Sequence, residues 1–188
     1  LDCAFTLQAP LPAASLRLLD DPRGRIDWHC EAPGGQCRVT TRDGAPLHGA
    51  GYAECLVMTA LPWRLPIDEL RWGRWISLDA TRSVVWIDWQ GDSPQRWVLV
   101  DGVPRTGAMV RDDGIGLGDT ELTLRDRRTL HERSLRDVVG PIASLAPLLP
   151  ASLLALHEHK WSSRGAWSEP ATPPVNGWAV HELVRFRR

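Results

Sequence analysis

The sequence predicts an all-β fold, an antiparallel β-barrel with a short proline-rich helical segment packed on it. Short stretches alternate apolar and polar residues with the period of two that a half-buried strand requires. Gly, Pro and Asp interrupt these stretches at spacings typical of hairpins. No internal repeat or low-complexity linker divides the 188 residues, a length that suits one domain with a substantial core. The expected organisation is one barrel over residues 1–188, with 1–24 as an N-terminal extension and 138–156 as a helical cover.

The elements follow in order. Ile26, Trp28 and Cys30 alternate with Asp27, His29 and Glu31, and Cys37, Val39 and Thr41 continue the alternation beyond Ala32-Pro33-Gly34-Gly35. Read as a hairpin, this places Cys30 opposite Cys37, where the thiols either pair or, as the favoured reading, pack as small buried hydrophobes. A further strand over 51–59 puts Tyr52, Glu54, Leu56 and Met58 on one face. Two prolines then bound a crossover at 61–66, too constrained for a regular strand.

The stretch from Leu70 to Gln90 reads as two strands joined by a short polar turn. With the turn centred near Ala80, Trp72, Arg74 and Ile76 share a face with Val84, Trp86 and Asp88, and Trp75, Val85, Ile87 and Trp89 take the other. Arg96 to Val100 leads into Asp101-Gly102, a strong hairpin-turn signal, and a returning strand runs through Met109 and Val110. Residues 121–130 alternate again, with Leu122, Leu124 and Leu130 as anchors. His157 to Trp167 and Trp178 to Phe186 read as a closing hairpin, for roughly nine strands in all.

Charge is nearly balanced, with 22 Lys and Arg against 23 Asp and Glu, so no electrostatic signature of nucleic-acid binding exists. The run from Val138 to Leu156 holds nineteen uncharged residues, but Pro141, Pro147 and Pro150 each interrupt helical hydrogen bonding. It reads as short helical turns covering the barrel, and no integral membrane span is expected. The chain opens at Leu1, without Met or a charged-then-apolar leader, as a fragment or processed product does; the expected compartment is the cytoplasm. Ten of the thirteen aromatic residues are Trp, which fits either a β core that uses Trp or a cavity lined by it.

Gly51-Tyr52-Ala53-Glu54, then Leu65-Pro66-Ile67-Asp68-Glu69-Leu70-Arg71-Trp72-Gly73-Arg74-Trp75 and Val85-Trp86-Ile87-Asp88-Trp89, form the distinctive part of the chain. They resemble the lipocalin-like (calycin) family of hydroxyneurosporene synthase, the carotenoid 1,2-hydratases and the AttH-like proteins. The tail, His157-Glu158-His159-Lys160-Trp161 with Gly177-Trp178-Ala179-Val180-His181-Glu182, is similar to that family's closing strands. The resemblance implies a lipocalin-like barrel handling polyenes or other greasy molecules, with hydratase or cyclase activity among its relatives. It also implies tandem domains with chemistry near their junction, whereas this chain has room for one. A second lipocalin-like domain or a homodimer partner is therefore an expected partner.

Candidate chemistry centres on two carboxylates. Asp88, flanked by Ile87 and Trp89, is either a general acid with a pKa raised by desolvation or an ion-pair partner of Arg74. Glu54 either pairs with Arg71 or Arg74 or polarises a ligand. Tyr52, Trp72, Arg74, Trp86 and Trp97 are the candidate ligand-binding residues. His157, His159 and His181 could assemble a zinc site only if the strands brought all three together; a polar cluster completed by Lys160 and Glu182 is the preferred reading, with no metal or cofactor. The glycines at 114, 116 and 118 match neither a dinucleotide fingerprint nor an EF-hand, and read as a turn. Three functions compete: a module binding a hydrophobic small molecule (polyene, isoprenoid or polyketide-like), an enzyme acting on one, and a structural domain without ligand.

Overall fold

The computed structural model describes residues 3–42, 44–134 and 156–186. The expected helical cover over 138–156 falls, but for its last residue, outside them. Among the described residues the structure is nearly all β, and the one helical turn is a 3-10 turn at Pro62–Arg64. No helix among them is long and apolar enough to cross a membrane.

Four strands form a small antiparallel sheet: β1 (Cys3–Gln8), β2 (Ala14–Asp21), β3 (Gly24–Thr41) and β4 (Leu47–Met58). The 18-residue β3 is its spine, pairing with β1 and β2 end to end along one edge and with β4 along the other. Residues 3–24 thus lie outside the larger sheet, but mostly as strands. The remaining strands are β5 (Glu69–Ser77), β6 (Ser83–Gln90), β7 (Gln95–Val100), β8 (Val103–Arg105) and β9 (Met109–Arg111). They continue as β10 (Gly114–Leu117), β11 (Thr120–Ser134), β12 (His157–Ser168) and β13 (Val175–Arg185). These nine form one antiparallel sheet in the order β8-β7-β6-β5-β13-β12-β11-β10-β9, strongly curled into a half-barrel.

Two cores follow from the two faces of this sheet. Trp75, Val84, Trp86, Val98, Ile115, Leu122 and Trp167 fill the inside of the curl. Val85, Ile87, Trp89 and Leu99 point the other way and pack beneath Leu18, Leu19, Ile26 and Trp28 of the small sheet. The interior accommodates its indoles because glycines face them. A Cβ on Gly73 would lie 2.1 Å from the Trp86 ring, and one on Gly165 would lie 2.3 Å from Trp75. The Asp101-Gly102 turn forms as expected between β7 and β8, with φ of 53° and 79°, the left-handed pair that a type I′ hairpin requires.

Two sequence expectations are corrected. Ala32-Pro33-Gly34-Gly35 is no turn: β3 runs through it, and its pairing with β4 shifts register there, as at a β-bulge. A proline tolerates such a site because it has no amide to give to the ladder. The glycines serve close approach, since a Cβ on Gly35 would sit 2.2 Å from the Gln8 carbonyl oxygen. Cys30 and Cys37 consequently lie seven residues apart on one strand, about 23 Å at strand rise, and both are free buried thiols.

The second correction concerns β5 and β6. Ile76 pairs with Ser83 and Trp72 with Ile87, so the hairpin is centred half a residue earlier than Ala80. That shift moves each partner by one position, and a one-residue slip turns a strand's side chains to the opposite face. Trp72 and Arg74 therefore share their face with Val85, Ile87 and Trp89, while Trp86 and Asp88 lie with Trp75 on the other. Ala80, at φ 57° within the turn, is the residue whose unusual conformation fixes this register.

Candidate functional site

Where the outer face of the half-barrel meets the small sheet, packing is incomplete. A cleft of about 370 Å³ remains. Leu18, Ile26 and Trp28 form its wall on the small sheet, and Leu70, Trp72, Ile87 and Trp89 form the opposite wall. The alternation of β4 directs Tyr52, Glu54, Leu56 and Met58 toward it, all four as the sequence pattern predicted. Leu56 and Met58 are exposed, so the cleft opens to solvent along β4.

Its polar groups come from two places. On β4, Glu54 Oε2 accepts from the Trp28 indole N–H at 3.0 Å and from Arg74 Nη2 at 2.7 Å. Arg74 is 1 % exposed, and also donates to the Pro33 carbonyl at 2.6 Å and to Cys30 Sγ at 3.3 Å. The carbonyl it uses sits at the β3 irregularity, so the segment that resembled a turn in the sequence supplies an anchor for the buried guanidinium. The Arg74 guanidinium also lies 4.3 Å above the Tyr52 ring, which tilts against Trp72 with centroids 6.1 Å apart. Burial pushes the Tyr52 hydroxyl above its ordinary pKa, and the Glu54 carboxylate adds to the effect.

The second group lies across the cleft, where β12 and β13 pair Lys160 with Glu182. Lys160 Nζ is 3.0 Å from Glu182 Oε2 and 4.0 Å from Glu158 Oε1. Burial pushes the Glu182 carboxyl up, and the neighbouring ammonium holds it back. Burial alone pulls Lys160 down, but the hydrogen bond and charge of Glu182 outweigh it and leave the ammonium above its usual pKa.

The structure thus brings Tyr52, Glu54, Trp72 and Arg74 together, with Arg74 behind Glu54. It separates the other three candidates from them. Trp86 belongs to the half-barrel interior, tilted against His181 at 6.2 Å. Trp97 is half-buried behind the cleft, edge-on to Trp89 at 5.3 Å. Asp88 is buried on the sheet's other face, held by Arg96 at 2.8 Å and by Gln90 at 3.1 Å. Sequence reasoning omitted Trp28, Leu18, Leu70 and Trp89 from the site, because the cleft lies between two sheets rather than inside a barrel. Sequence reasoning grouped Lys160 and Glu182 with the three histidines, but Lys160 and Glu182 occupy even positions of β12 and β13, which face the cleft, and the histidines occupy odd ones on the opposite face.

The histidines do not converge. His159 stacks between His157 and Trp161, and His181, on the same face beyond Trp161, turns its Nε2 to Ser163 Oγ at 2.9 Å. Among the described residues no three His, Cys, Asp or Glu side chains gather as a metal site requires. Two further cavities differ in character from the cleft. One of about 590 Å³ opens at the β7–β8 end, but there Arg82 is bound to both Asp101 and Glu169, at 2.7 and 2.9 Å. The other, about 40 Å³, lies beside His181 among Arg71, Arg111 and Arg127. Compared with protein-family models and with curated proteins, the chain gives no match.

Proposed function

We propose that the chain binds a hydrophobic small molecule, of polyene, isoprenoid or polyketide-like character, in the cleft between its two sheets. The observation that carries this reading is the cleft itself, with a volume of about 370 Å³ and walls of Leu, Ile and Trp side chains. Ligand pockets of roughly 300–1,000 Å³ with apolar, aromatic walls and a few placed polar groups have this composition. Binding is favoured over turnover by the state of the two carboxylates. Glu54 is fastened to Arg74, and Asp88 to Arg96 on the far side of the sheet. A hydratase of the kind the sequence resembles needs a carboxyl group free to give a proton to its substrate.

Titration with farnesol, retinol and a polyketide-like probe tests the reading through tryptophan emission, because Trp28, Trp72 and Trp89 line the cleft. The expected result is a saturable change with at least one probe. Leu56→Trp, which fills the cleft from its exposed wall and leaves both cores untouched, should weaken that binding about tenfold or more. Absence of saturation with all three probes, or indifference to Leu56→Trp, would sink the proposal.

A further inference from the structure

Resting on that reading, we infer that the Lys160–Glu182 pair acts as a head-group filter, so that the cleft takes an uncharged amphiphile and rejects both carboxylates and amines. Among the described residues, the charged side chains lining the cleft are two carboxylates, Glu54 and Glu182, and one ammonium, Lys160. Each already has its partner. Glu54 holds Arg74, whose own surface is sealed. Lys160 sits between Glu182 at 3.0 Å and Glu158 at 4.0 Å.

A ligand carboxylate entering this space would leave water and meet no unpaired cation among the described residues, while two fixed carboxylates repel it. Burying a charge without compensation is costly. A ligand ammonium would find both carboxylates already neutralised by Arg74 and Lys160, so the attraction left for it does not repay the loss of its own hydration. A hydroxyl or carbonyl pays neither penalty. Glu54 Oε2 takes both the Trp28 and Arg74 bonds, which leaves Oε1 to accept from a ligand hydroxyl, and the Tyr52 hydroxyl can donate to a ligand oxygen. Specificity against charged relatives then comes from groups that cannot be satisfied, the form of discrimination that polar sites achieve best.

The test uses one tail with three heads: farnesol, farnesoic acid and farnesylamine, titrated at pH 8 with tryptophan emission as readout. Farnesol should bind at least about tenfold more tightly than either charged form, a difference of about 1.4 kcal/mol. Glu182→Gln leaves Lys160 without its close carboxylate and should raise the acid-to-alcohol affinity ratio by about tenfold. Lys160→Met is the complementary variant and should lower that ratio further; thermal unfolding of both variants confirms that they fold. A charged form that binds as well as farnesol overturns the filter and leaves the cleft reading standing. A ratio unmoved by both variants overturns the assignment to this pair. If none of the three binds, the cleft reading fails and the filter with it.

Discussion

Acid should destabilise this fold through one imidazole. His181 is 6 % exposed, its Nε2 engaged by Ser163 and its ring set between Trp86 and Trp161. Burial holds its pKa down from 6.5 to about 4, with Arg127 pushing the same way and Asp112 opposing. Arg71, Arg111 and Glu182 also line the small cavity beside it. In the unfolded chain the imidazole takes up its proton near pH 6.5, whereas in the folded chain it resists until about pH 4. The stabilisation is therefore complete above pH 6.5 and lost as pH falls from there toward 4. At about 1.4 kcal/mol per pH unit, that interval removes about 3 kcal/mol, a large share of a typical domain stability of about 5–15 kcal/mol. Urea unfolding followed by circular dichroism at pH 7 and pH 4 measures it in the parent and in His181→Gln, which keeps a partner for Ser163. Carboxylates held low by their partners, such as Asp21 and Glu169, weaken both proteins alike on acidification, so the informative quantity is the difference between them. The parent should lose about 3 kcal/mol more than the variant. Equal losses would refute the burial argument.

Two substitutions test the packing on either face of β5. Gly73→Ala would drive a methyl into the Trp86 ring and against the His181 Cβ, at 2.1 and 2.7 Å; thermal unfolding should report a loss of about 2 kcal/mol or more, and an unchanged midpoint would mean that Trp86 does not lie across this glycine. Arg74→Met removes the partner of Glu54 and of the Pro33 carbonyl. Because Glu54 retains some solvent contact, the cost should be about 2–3 kcal/mol in a urea titration, and a neutral or stabilising result would show the pair to be dispensable.

The sequence carried the strands well and the faces less well, for reasons visible in particular residues. In β12 and β13 the histidines were grouped with Lys160 and Glu182 of the opposite face, whereas alternation in β4 was read correctly, because Tyr52 and Glu54 set one face apart from Ala53 and Cys55 on the other. β6 offers no such contrast. From Ser83 to Trp89 every residue is buried, so polarity could not say which side was which, and the assignment rested on the turn. There a shift of half a residue in the hairpin centre exchanged Trp86 and Asp88 for Ile87 and Trp89. Ala80 in a left-handed conformation is an uncommon choice, and nothing local announced it. The Pro-Gly-Gly segment misled in the opposite way, since residues that favour turns also permit bulges and close strand approach. Leu130, expected as an anchor, is 53 % exposed beyond the buried Leu122 and Leu124, because β11 shifts register against β12 once before Leu130 and again at it.

The double burial of β6 has a consequence for how the molecule opens. This strand is hydrogen-bonded on both sides, to β5 and β7, and is covered above and below by two different apolar clusters. Solvent reaches its amides only by lifting a neighbouring strand, which exposes both clusters together. Local fluctuations of the kind that release loops and chain ends do not suffice. The half-barrel and the small sheet are thereby joined into one cooperative unit, with the β6 amides the last to exchange their hydrogens with water.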